Sequence, residues 1–300
     1  MTAQDHALPG RLSAGERVLL VDPKERRYLV TLHPGASFHT HSGIVAHDEV
    51  IGRPEGSTIV ASTGRRFVVL RPTLADVVLK MPRGAQVIYP KDLGAILIAG
   101  DIGPGMRVLE AGVGSGALSM ALLRAGAEVV GYEVRADFAA GARANVAAFE
   151  GPGAAYRVEE RDIYQGISER GLDRIVLDLP EPWRALGPAS EALRPGGILL
   201  SYLPSVTQVA TLRANMASKH FGMAETFEVL RRTWHVEERS VRPDHRMVAH
   251  TGFITTARLL VPTPEHELPD ETAVGEAVRN EEAVPNEQKE ETALPEEESE

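Results

Sequence analysis

The chain has 300 residues, 43% of them apolar, enough to bury one large core and a smaller one. It has no cysteine, which excludes disulfides, thiolate metal sites and a cysteine nucleophile, and no 18-residue apolar run that would read as a membrane span. The net charge of -10 is uneven: 14 of the 42 acidic residues but only 2 of the 32 basic ones lie in 262–300, which leaves the first 261 residues at +2 and a nucleic-acid partner open.

The start of the chain, Met1 to Gly10, is mixed polar with no apolar signal segment; the lack of cysteine fits the expectation of a cytoplasmic protein. Between 11 and 70, short alternating runs (17–21, 27–32, 58–61 and 66–70) are separated by turn residues such as Asp22-Pro23 and His33-Pro34-Gly35. They predict a small all-β domain over 1–70, with closure into a barrel as one option. From 71 to 261 strands and helices alternate. Strands are expected at 106–111, 128–132, 155–159, 174–178 and 198–203, with helices at 115–125, 135–149, 183–193 and 206–219. Two further strands, 223–231 and 251–260, follow. Alternation on this scale means a parallel sheet with helices on both faces. Residues 262–300 carry five prolines, many glutamates and no aromatic residue; this composition predicts a disordered acidic tail.

The chemistry starts at Val108-Leu109-Glu110-Ala111-Gly112-Val113-Gly114-Ser115-Gly116-Ala117-Leu118, an apolar run that enters a glycine turn and leaves as a helix. Glycines let backbone approach a ligand, and a helix N-terminus offers free N–H groups. The spacing fits S-adenosylmethionine, and with Ala117 in the sixth position it also fits a dinucleotide. Glu133, ending the second strand, can accept both hydroxyls of a ribose, or is simply a solvated loop carboxylate. Asp162 after the third strand can accept from an exocyclic adenine amine, or can cap a helix. Asp178 ends the fourth strand, on the crevice side of an open sheet, ahead of a stiff Pro180-Glu181-Pro182-Trp183 loop suited to a flat ring; here too a cap, with Trp183 as packing, is the plainer option. Leu193-Arg194-Pro195-Gly196-Gly197-Ile198 reads as the turn into the fifth strand.

Together these residues resemble class I methyltransferases, and more closely the tRNA (adenine-58-N1)-methyltransferases. The likeness extends to the segment from Gly84 through Gln86 and Tyr89 to Asp92, to Tyr202–Gln208, to Arg242-Pro243 and His250–Phe253, and to the front segment with Phe38-His39-Thr40-His41 and His47-Asp48. It covers roughly residues 11–260. The resemblance implies an α/β fold: a Rossmann-like class I methyltransferase domain behind a small N-terminal all-β domain, with the disordered acidic C-terminal tail lying outside the family core. It further implies S-adenosylmethionine held by Gln86, Gly112, Val113, Gly114, Ser115, Gly116, Ala117, Leu118, Glu133, Asp162, Ile163 and Asp178. Asp178 would be the catalytic carboxylate and Tyr89 would lie beside the target base. The partner would be tRNA, methylated at N1 of adenine 58, and the assembly a homotetramer.

Other features are weaker. His39, His41 and His47 lack a cysteine companion and lie in the β segment, so no metal site is expected. Asp92 is expected to cap the helix over 93–99. Arg231, Arg232, Arg239, Arg242 and Arg246, near Trp234 and His235, and Lys24, Arg26, Arg27, Arg65 and Arg66 are either solvated faces or phosphate-contacting surfaces. An NAD-dependent oxidoreductase is the alternative, but no Tyr/Lys or His constellation for hydride transfer is evident. A small-molecule methyltransferase would explain neither the front domain nor the arginines.

Overall fold

The computed structural model describes residues 10–84, 86–151 and 153–262. The expected disordered tail lies outside these residues apart from Pro262, as do the first nine residues.

Alternating apolar positions turn the front of the chain into sheet: β1 (Arg17–Val21), β2 (Arg27–Thr31), β3 (Ser37–Thr40), β4 (Gly43–Ala46), β5 (Thr58–Val60) and β6 (Arg66–Leu70). Four of these pair antiparallel in the order β2-β1-β6-β5. Strands β3 and β4 form a separate hairpin, so β2 and β5 remain sheet edges and the strand pairing does not close into a barrel. Val18, Leu20, Val30, Phe67 and Val69 point to one side and form a core with Leu12 and Leu32.

After Leu70 the period changes. In α1 (Leu74–Lys80), Thr73 and Asp76 make a capping box, and Asp76 also accepts from Arg27 Nη1 at 2.8 Å, which ties this helix to the front sheet. Then come α2 (Pro90–Ala99), β7 (Arg107–Ala111), α3 (Ala117–Arg124), β8 (Glu128–Glu133), α4 (Ala136–Glu150), β9 (Tyr156–Glu160), β10 (Leu172–Leu177), α5 (Leu186–Ala192), β11 (Leu193–Leu203), α6 (Val206–Met216), β12 (Phe221–Glu228), β13 (Trp234–Glu237), β14 (Ser240–Pro243) and β15 (Phe253–Leu259). The large sheet runs β12-β15-β11-β10-β7-β8-β9, parallel from β11 to β9 and antiparallel at β15 and β12. Its inner strands are buried on both faces. Val108 and Val176 enter one core with residues of α1, α2 and α3, while Leu109, Ile175 and Leu177 enter the other with α5 and α6. The chain builds outward from β7 through β8 to β9, then returns to place β10 on the other side of β7. That reversal opens a crevice beyond the carboxyl ends of β7 and β10.

Three local expectations are corrected. The helix expected over 183–193 is a 3-10 turn at Pro182–Ala185 followed by α5, because Leu193 already pairs with Leu172 in the sheet. The Arg194–Gly197 turn is an irregular start of β11, with a register shift before Ile198 pairs with Arg174. Asp92 does not cap a helix: α2 begins earlier, at Pro90, with Tyr89 as its N-cap and no capping side chain.

Candidate active site

The glycine turn follows β7 directly. Gly112, Gly114 and Gly116 all have positive φ, at 85°, 54° and 82°. A Cβ on Gly112 would lie 2.1 Å from the carbonyl oxygen of Asp178, and one on Gly116 would press Val146 and Ala142 of α4 at 3.3–3.4 Å. The first glycine therefore lets the turn touch the end of β10, and the third lets α3 pack on α4. Gly114 stays partly exposed, with its N–H held by Glu133 Oε2 at 3.0 Å. Ser115 is buried, its carbonyl accepting from Asn145 Nδ2. The side chains of Val113, Ala117 and Leu118 are buried in core packing, so these residues can offer a ligand only their backbone.

Glu133 ends β8 as expected and is 6% exposed; its other oxygen accepts from Arg135 N at 3.0 Å. Each carboxylate oxygen thus keeps an acceptor site free for a diol. Asp162 does cap the short 3-10 turn after β9, accepting from Tyr164 N at 2.9 Å through Oδ1. Capping occupies only one of its oxygens. Gly112, Glu133, Val134, Asp162, Ile163 and Leu179 line a single, mostly apolar cleft that holds two carboxylates. Two carboxylate acceptors beside apolar walls suit the hydroxyls of a ribose and the amine and flat ring of a purine, so the residues present fit the nucleoside half of S-adenosylmethionine.

Asp178 does not line this cleft; it follows β10 with its carbonyl against Gly112 and its N–H bonded to Ala111 O at 2.9 Å. Among the described residues its carboxylate has no ion-pair partner, and loss of hydration pushes it up to about 7. Beneath it lies Glu110, an acid that motif reading passed over although it interrupts the apolar run before the glycines. It is fully buried, bonded by Ser119 Oγ at 2.5 Å through one oxygen, with no partner for the other. Burial is the main cause, and Asp178 and Glu133 add to it, in pushing Glu110 up to about 8. Glu110 is therefore a neutral acid near pH 7, which spares Asp178 a second close negative charge.

Tyr89, partly buried, caps α2 with its backbone alone. One turn on, the Asp92 carboxylate is completely buried and accepts from Lys91 Nζ at 2.8 Å, Thr251 Oγ1 at 2.6 Å and Tyr202 OH at 3.3 Å. Lys91 Nζ also reaches Val229 O and Thr251 Oγ1. Three segments quoted separately from the sequence, 84–92, 202–208 and 250–253, are thereby locked together beside the Asp178 end of the crevice. Gly252 packs so closely on Tyr202 that a Cβ there would sit 2.4 Å from its ring. Gln86 is exposed and does not line the nucleoside cleft, and Ala85 lies outside the described residues. Trp183 is half-buried against the core that contains α5.

Among the described residues no three His, Asp or Glu side chains converge as a metal site. His47 instead accepts His33 N through Nδ1 at 3.0 Å. The arginines of 231–246 are all exposed around β13 and β14.

Residues 66–252 match the family described as tRNA methyltransferase complex GCD14 subunit, and residues 10–59 match a TrmI-like N-terminal family. The chain is 38% identical over 250 residues to the tRNA (adenine(58)-N(1))-methyltransferase TrmI of Thermus thermophilus, covering 80% of this chain and 96% of that protein. Among solved structures, a SAM-dependent O-methyltransferase from Thermotoga maritima superposes with TM-score 0.82 at 34% identity, over 85% of this chain and 97% of that one. The tRNA (m1A58) methyltransferase TrmI of Aquifex aeolicus gives 0.75 at 32% identity, over 84% and 100%. With both segments matched in order and four-fifths of its length aligned, the chain belongs to the tRNA (adenine-58-N1)-methyltransferase family.

Proposed function

We propose that this protein transfers a methyl group from S-adenosylmethionine to N1 of adenine 58 in the T-loop of tRNA. The observation that carries the reading is the contact of Gly112 with Asp178, which sets a nucleoside cleft and an unpaired carboxylate side by side at the switch point of the sheet. Glu133 would hold the ribose hydroxyls, Asp162 and the apolar walls around Ile163 the adenine, and the free N–H groups of the glycine turn the polar end. When bound, S-adenosylmethionine supplies a methyl group already activated on a sulfonium.

Positioning then does most of the work. The target base must leave its pairing partner to expose N1, and an aromatic or apolar platform stabilises it once unstacked. Tyr89 would serve as that platform; its backbone heads α2, three residues before the buried Asp92. As N1 gains the methyl group, positive charge spreads to the exocyclic amine. Asp178 accepts an N–H from that amine, orients the ring and offsets the charge. A neutral Glu110 beneath leaves Asp178 free to carry the negative charge this requires.

The same reading gives the exposed arginines of 231–246 and the front sheet (through about residue 70) a share in RNA binding, in a cytoplasmic homotetramer. Exposed Leu230, Trp234, Val236 and Val241 around the β13–β14 hairpin support assembly, since such side chains are usually covered in a partner interface. Native mass measurement tests it. Nucleoside analysis of unmodified tRNA treated with protein and methyl donor tests the reaction: 1-methyladenosine at position 58 is expected, and methyl on a ribose oxygen, or none in RNA, overturns the reading.

A further inference from the structure

A second charged site lies in the front sheet, away from the crevice motifs. Three turns meet there: 22–26 between β1 and β2, 40–43 between β3 and β4, and 61–66 between β5 and β6. They enclose an open concavity of about 640 Å³ lined by Lys24, Arg26, His41, Ser42, Thr63 and Arg65.

The concavity is built, not incidental. The side chain of Asp22 is fully buried; Oδ1 accepts from Lys24 N at 2.9 Å and Arg26 N at 3.0 Å, and Oδ2 from Arg26 Nε at 2.8 Å. These bonds fix the Arg26 guanidinium and hold the Asp22 carboxyl below its ordinary range. Buried Ser42 then accepts from Arg26 Nη2 at 3.3 Å and from Arg65 Nη1 at 3.0 Å, so two guanidiniums converge on one hydroxyl. Thr63 Oγ1 donates to Ser42 O at 2.5 Å and pins the turn. Arg26 also contacts His41 Nε2.

The charges do not cancel. Lys24, Arg26 and Arg65 carry three positive charges and the lining holds no acid; buried Asp22 beneath returns one, and exposed Glu25 sits at the tip of the first turn. Arg65 approaches Asp22 only to 4.0 Å, and its one hydrogen bond goes to Ser42. Among the described residues its Nε–Nη2 edge has no partner, and its side chain is 36% exposed. A fixed guanidinium edge of this kind matches two oxygens of a phosphate.

We propose that Arg65, Arg26 and Lys24 form a phosphate-binding site that takes a backbone phosphodiester of the RNA substrate, apart from the base bound in the crevice. The inference rests on the RNA methyltransferase reading. The openness of the site favours a phosphate within a polymer over a free anion, which needs enclosing donors to be retained.

The test uses the full chain and an unmodified tRNA transcript. For Arg65→Ala, and for the Lys24→Ala/Arg65→Ala pair, tRNA Kd, KM, kcat, S-adenosylhomocysteine affinity and melting temperature are measured across a salt series. The expected result for Arg65→Ala is about a tenfold rise in Kd and KM near 0.1 M salt, with the slope of log K against log salt flatter by about one. kcat at saturating tRNA, S-adenosylhomocysteine affinity and melting temperature stay at wild-type values. Arg65→Lys should recover the salt slope but only part of the affinity, because it keeps the charge and loses the fork. Wild-type Kd and slope in both variants overturn the inference. So does inorganic phosphate raising the melting temperature of wild type alone while tRNA binding is unchanged, which assigns the site to a free anion. Wild-type protein that neither binds nor methylates tRNA overturns the functional reading along with this one, whereas active wild type with unaffected variants overturns this one alone.

Discussion

Asp178 and Glu110 are both acids raised by burial, and the sign of their effect is fixed. Protons stay bound in the folded state above the pH at which the unfolded chain releases them, so their favourable contribution is complete below about pH 4. It is lost as pH rises through about 7 for Asp178 and about 8 for Glu110. Asp178→Asn should therefore melt higher than wild type at pH 8, and the gap should shrink toward pH 5. An unscreened shift of this size is worth ~4 kcal/mol, but Asp178 keeps some water contact, so about 1–2 kcal/mol is expected. The same variant should bind S-adenosylhomocysteine normally and lose methyl transfer, which calorimetry and a transfer assay separate. In the wild type, kcat/KM should fall about tenfold per unit below about pH 7, since it reports the free enzyme. The corresponding limb in kcat should lie at lower pH, because a bound cation favours the carboxylate.

At the scale of elements, the decisive joint is between α2 and the β11–β15 end of the sheet. Lys91 and Asp92 are both almost completely buried and depend on each other. Asp92→Ala strands the lysine, and a loss of about 3–5 kcal/mol in denaturant unfolding is expected. Gly112→Ala should fail differently, by driving the glycine turn from β10, and should abolish S-adenosylhomocysteine binding in calorimetry. The strands and helices that frame the crevice were legible in the sequence within a few residues, because fully buried parallel strands and glycine turns leave strong patterns. The β3–β4 and β13–β14 hairpins were not: strands of four residues, such as Ser37–Thr40 and Trp234–Glu237, are too short for alternation to stand out from the loops around them. Helix α1 was missed because seven residues give only two turns of periodicity. The buried role of Asp92 was hidden for another reason. Its partners Tyr202 and Thr251 are more than a hundred residues away, and an acid beside Pro90 looks locally like a cap.

Across the whole molecule, charge is segregated along the chain, with a body of net +2 and a terminal segment of net -12. Removing 262–300 should tighten tRNA binding at low salt, and the difference should vanish near about 0.5 M salt as screening shortens the reach of the field. Filter binding of the two forms across a salt series measures this, with kcat at saturating tRNA expected to be equal. The candidate site was readable as a set of residue types, but not as an assembly. Nothing in the spacing of Gly112 and Asp178 announces that their backbones touch, or that Val113, Ala117 and Leu118 face inward while Glu133 and Asp162 face one cleft.

That touching pair has a practical consequence. The proposed seat of the methyl donor and the acid proposed to receive the base meet through main chain, where Gly112 lies against the Asp178 carbonyl. A compound wedged into the donor seat should perturb the acid, and changes at the acid should echo in how tightly such compounds hold. Inhibitor series built at either end should show non-additive affinities.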